Sequence, residues 1–131
     1  ALALLALAST AKAEQFTLLI YETQADIAAR TDKDKAPAYW AAYSGYAQAL
    51  TAAGILRGGT ALPGSTGGKT VRASGLTDAP VAASELELGG YFIIEVADLA
   101  TALEWAKKSP GLATGAVEVK PHFVNPTMAA K

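Results

Sequence analysis

The first strongly patterned stretch runs from Phe16 to Glu22 (FTLLIYE), short and rich in β-branched and aromatic residues, and predicts a strand. Residues 23–36 are polar and mixed, with room for a helical turn around Ala25–Arg30. From Pro37 the period changes: Trp40, Tyr43, Tyr46, Ala47 and Leu50 recur at spacings of three and four, the stripe of an amphipathic helix. Pro37 suits its first turn and Gly54 its stop. Ile55 to Leu62 predicts a second strand, with Lys69 to Ala73 as its hairpin partner or its continuation after a bulge. Leu88 to Val96 (LGGYFIIEV) is the clearest strand in the chain. Asp98 then caps a helix with Leu99, Ala102, Leu103 and Ala106 as its buried stripe. Gly115 to Val124 closes the chain as a last strand, and Gly75 to Ser84 is an irregular loop.

Strand, helix, strand or hairpin, strand, helix, strand is the split βαβ pattern of the ferredoxin-like α+β class: an antiparallel sheet with two helices on one face. Side chains alternate across a strand. Phe16, Leu18 and Ile20 therefore oppose Leu19 and Tyr21, while Phe92, Ile94 and Val96 oppose Tyr91 and Ile93. Both strands are apolar on both faces, and two helices can cover only one. Burying each such side chain is worth about 1.5–3 kcal/mol, and a monomer seldom leaves a patch of this kind in water. A second copy, packed sheet to sheet as a dimeric α/β barrel, would cover it. The competing cover is the long 63–87 connection or the amino-terminal extension.

Composition bounds the partners. With 131 residues, 51% hydrophobic and no cysteine, the chain makes one domain without a disulfide framework or cysteine-ligated metal. A formal charge of −1 argues against nucleic acid, which needs a basic surface. Ala1–Ala8 is apolar and is followed by Ala11-Lys12-Ala13, which looks like the tail of a secretory signal cleaved after Ala13. The alternative is a helical or flexible extension. The first reading makes the mature protein, from Glu14 onward, periplasmic or extracellular and free of the membrane; the second makes it cytoplasmic. Residues 14–131 form the domain.

The stretches Leu18-Leu19-Ile20-Tyr21-Glu22, Ala53-Gly54-Ile55-Leu56, Thr70-Val71-Arg72, Thr77-Asp78-Ala79-Pro80, Leu88-Gly89-Gly90-Tyr91-Phe92-Ile93-Ile94-Glu95, Ala102-Leu103-Glu104-Trp105-Ala106 and Gly115-Ala116-Val117-Glu118-Val119-Lys120-Pro121 occur in the order seen in YCII-related proteins. Together they resemble the branch that carries a DGPF motif. The resemblance spans nearly all of Phe16–Pro121 and implies a ferredoxin-like fold assembled as a dimeric α/β barrel. The motif itself reads Asp78-Ala79-Pro80-Val81 here, keeping Asp and Pro but not Gly and Phe. Members of the wider group are thought to use a His–Asp pair in a cleft. The single histidine of this chain, His122, lies outside the positions that would carry that pair, so the dyad does not transfer. Asp78 alone carries over as a candidate acid or base.

Each candidate has a plain structural alternative. Asp78 acts on a substrate in the adjoining cleft or caps a turn. Glu95 shares the face of Tyr91 and Ile93 and is either an acid or base with a raised pKa or a surface carboxylate paired with Arg57 or Arg72. Arg72 and Arg57 would hold an anionic ligand group. Tyr21 and Tyr91 join the ligand site or, with Trp40 and Tyr43, serve the core and interface. His122 alternates with Glu118 and Lys120 and is expected to face solvent, with no metal site around it. Gly64-Ser65-Thr66-Gly67-Gly68-Lys69-Thr70 imitates a phosphate loop, but Pro63 stands where the first glycine is required and no helix follows. No cofactor is implied. Two functions follow: a dimeric domain that binds a small organic ligand beside the sheet, with lyase- or isomerase-type proton transfer by Asp78 or Glu95, or a non-catalytic dimeric binding or regulatory module.

Overall fold

The computed structural model describes residues 13–128; the signal-like segment therefore lies outside the described residues except for Ala13. Strand β1 (Glu14–Glu22) leads into the six-residue helix α1 (Gln24–Ala29) and then the long α2 (Ala36–Ala52). After β2 (Leu56–Ala61) comes a small hairpin, β3 (Thr70–Arg72) and β4 (Gly75–Thr77). Strand β5 (Glu87–Val96), helix α3 (Leu99–Ala106) and β6 (Ala116–Pro121) complete the domain. The main sheet has the order β2-β5-β1-β6 and every pairing in it is antiparallel. This is the ferredoxin-like α+β arrangement, with the two longest strands at the centre.

Parity sorts the sheet as expected. Phe16, Leu18, Ile20, Ile94 and Val96 are buried against Tyr46 and Leu50 of α2 and Ala102 and Ala106 of α3. Pro37 lies in the first turn of α2, and the Asp98 carboxylate accepts from the Thr101 amide at 2.8 Å to cap α3.

Four expectations need correcting. The 69–73 segment does not pair with β2: Val71 faces Leu76 and Arg72 faces Gly75 in a separate two-stranded sheet. A turn of two residues, Ala73 and Ser74, closes this local pairing, with Gly75 at φ +137° beside it. The loop forecast from Gly75 thus begins as a strand. In α3, Leu99 and Leu103 are 46% and 42% exposed, because the helix turns Ala102, Trp105 and Ala106 toward the sheet. Trp40 of the α2 stripe is likewise outside the core, 41% exposed.

Candidate functional site

The β1 parity that buries Phe16, Leu18 and Ile20 also sends Glu22, its last residue, inward, and that carboxylate is only 1% exposed. A buried charge requires a partner. Arg30, at the exit of α1, supplies it: one Nη2 donates to Glu22 Oε2 at 2.5 Å and to the Gly89 carbonyl at 2.6 Å. Its Nη1 donates to the Leu62 carbonyl and its Nε to Tyr39 Oη at 2.8 Å. Tyr39 in turn donates to Glu22 Oε1 at 2.6 Å, and Tyr43 reaches the same oxygen at 3.4 Å. Tyr39 and Tyr43 stand one helical turn apart on α2, so their hydroxyls converge.

Missing side chains make the room. The β1–β5 register skips Gly89, which bulges between the pairs Ile20–Gly90 and Tyr21–Leu88. A Cβ on Gly89 would collide with the Glu22 carboxylate, and one on Gly111 would come within 2.6 Å of Tyr43 Oη. The short α1 is aimed by Thr23, whose hydroxyl accepts from the Asp26 amide at 3.1 Å, and by Thr114, which donates to Asp26 at 2.5 Å.

Above this floor lies a cavity of about 140 Å³, walled by Ile20, Phe92, Tyr91 and Trp40 and by the backbone of β2 at Gly59–Ala61. The indole of Trp40 is fixed by donation to the Arg30 carbonyl at 3.1 Å and by edge contact with Tyr39 at 4.9 Å. A second hollow of about 300 Å³ lies against Glu22, Tyr39 and Tyr43, with Asp26, Pro110 and Thr114 among its other walls.

Burial and the negative charge of Glu22 push the Tyr43 hydroxyl up to about 12, and burial raises Tyr46 to about 12; Tyr39 moves in the same direction, first through burial and then through its bond to Glu22. For Arg30, burial opposes the charged form, but the bond to Tyr39 and the charge of Glu22 outweigh it and hold the guanidinium protonated. The phenols are therefore donors at neutral pH. The folded chain keeps these protons past 10.0, where a free tyrosine loses them. Stability should then be insensitive to this group below about pH 10 and fall as pH rises from about 10 to about 12. Urea midpoints measured across that interval check the fall, and Tyr43→Phe should remove its share.

Other sequence-flagged residues lie elsewhere. Asp78, 81% exposed, pairs with Lys69 beyond the β3–β4 hairpin. Glu95 pairs with Arg57 at 3.2 Å on the sheet face away from the helices, and Gln15 donates to it at 3.4 Å. Arg72 donates to the Val81 carbonyl at 3.0 Å. Tyr91 walls the cavity, whereas Tyr21 lines a different surface hollow beside Val81 and Leu88. Asp78 and the arginines Arg57 and Arg72 do not converge on the cavity. His122 does not face open solvent: its Nε2 lies 2.6 Å from Thr17 Oγ1, half-buried. Among the described residues no His, Cys, Asp or Glu group of three or more could hold a metal ion. The phosphate-loop mimic turns its Ser65 amide and hydroxyl to the chain's own Glu87, holding that carboxyl below its usual range.

The model of the YCII-related domain matches residues 15–123. The chain belongs to the YCII-related domain family. A comparison with curated proteins found no match. Sequence reasoning missed the center of this YCII-related domain, the Glu22–Arg30–Tyr39–Tyr43 cluster. One signal was available: Glu22 is in phase with Phe16, Leu18 and Ile20, although Glu14 shares that phase and is exposed.

Proposed function

We propose that this YCII-related domain binds a small organic molecule in the cavity over the Glu22–Arg30 pair and works as a binding module. The observation that carries this reading is a cavity with largely apolar walls whose floor holds a buried ion pair and two phenol donors. Concave apolar sites with a few convergent polar groups are where ligands bind. An acid–base role for Asp78 or Glu95 has less support, because both sit in exposed or half-exposed ion pairs away from the cavity. A thermal-shift screen of small molecules tests the binding reading, since a ligand of the native state raises the melting temperature. Hits should lose their effect in Ala61→Phe, which places a ring at the exposed rim of the cavity. Shifts that survive Ala61→Phe, or a screen without hits, would overturn the reading.

The opposite sheet face supports a second part of the proposal, a homodimer. Leu19, Tyr21, Tyr91 and Ile93 are only half-buried there, and Phe123 and Val124 beyond β6 are 89% and 66% exposed. A second copy of the chain, of the DGPF-like type suggested by the sequence, would cover these side chains sheet against sheet.

A further inference from the structure

The bonding in the cavity floor narrows the chemistry of what can occupy it. A guanidinium has five N–H groups. Those of Arg30 already serve Tyr39, Leu62, Gly89 and Glu22, which leaves one. Glu22 is equally occupied, Oε2 by Arg30 and Oε1 by two phenols. The two opposite charges cancel at close range, and no other charged side chain lines the cavity among the described residues. An ionic ligand would lose its hydration without gaining a counter-charge. A neutral ring would instead meet the side chains of Ile20, Trp40 and Phe92. The volume of about 140 Å³ is close to the ~150 Å³ of an apolar cavity that takes up benzene.

We infer that the occupant is an uncharged molecule with an apolar body the size of one six-membered ring. The inference rests on the binding reading above and specifies its ligand class. Benzamide, benzoate and benzamidinium share one shape and differ in charge, so they isolate the property in question. In a Trp105→Phe chain, Trp40 is the one remaining indole and its emission reports occupancy of the cavity wall. Near neutral pH, benzamide should bind at least about tenfold more tightly than either ion. The same order should appear as thermal shifts of the unaltered chain, and Ala61→Phe should abolish it.

Binding of benzoate or benzamidinium as tight as that of benzamide, and sensitive to Ala61→Phe, would overturn the inference while leaving the cavity as a ligand site. Should none of the three bind, the rim-sensitive hits of the wider screen decide: ionic hits overturn it and neutral ones support it. A screen with no rim-sensitive hit removes the ligand site itself, and the inference with it.

Discussion

Arg30→Ala is expected to lower the unfolding free energy by about 3–5 kcal/mol, because it leaves the Glu22 carboxylate buried without its counter-charge. Glu22 is 1% exposed and the Arg30 side chain 9%, so water cannot take over the role of the lost partner without rearrangement. The loss also takes one donor each from the carbonyls of Leu62 and Gly89 and the donor that Tyr39 Oη accepts from. Domains of this kind are stable by only about 5–15 kcal/mol, so the variant should unfold at far lower urea. Replacing both charges together, as Glu22→Leu with Arg30→Met, should recover much of the loss, since removing a buried pair whole is often close to neutral. If Arg30→Ala costs under about 1 kcal/mol, the range of exposed pairs, the cluster is not the electrostatic anchor described above.

The second large effect separates the two sheet faces. Phe16 is 1% exposed and belongs to the core under the helices, so Phe16→Ala should cost about 3–5 kcal/mol at any protein concentration. Leu19, three residues on and on the other face, is half-buried. If a second copy covers it, Leu19→Asp should yield a folded monomer where the unaltered chain runs at twice the chain mass. Light scattering after size-exclusion chromatography makes the comparison. An unaltered chain that is monomeric at micromolar concentration would remove the homodimer proposal.

The sheet was legible because burial there follows a period of two, and the same rule that placed Phe16 and Ile94 inside placed Glu95 on the opposite face, where it pairs with Arg57. The β3–β4 hairpin was not. Thr70–Arg72 is too short and too exposed to show which strand it pairs with, and the local two-residue turn won over a closure across the glycine-rich loop. His122 had the right parity but the wrong environment, since strand alternation gives a side chain's direction and not the neighbor it finds there; here that neighbor is Thr17. For the cavity floor, phase alone was ambiguous: Glu14 and Glu22 both share the parity of Phe16, Leu18 and Ile20, yet Glu14 is exposed and Glu22 is buried. Choosing its partner from 11 basic residues required the exit angle of α1, which no periodicity encodes. Tyr39 was hidden because it lies one position before the apolar stripe begins at Trp40.

Helix α1 has six residues, none of them buried, too few for a helix to persist by its own hydrogen bonds. What fastens it to the body of the protein is largely the residue that ends it, through contacts with the end of β1, the bulge in β5, the segment after β2 and the start of α2. Four pieces of chain distant in sequence thus share a single rivet. Whatever loosens that rivet frees the segment between Glu22 and Tyr39 as a unit, while the strands beneath can stay zipped. Arg30 also forms part of the chamber floor, so the fastening of α1 and the shape of that floor depend on one side chain.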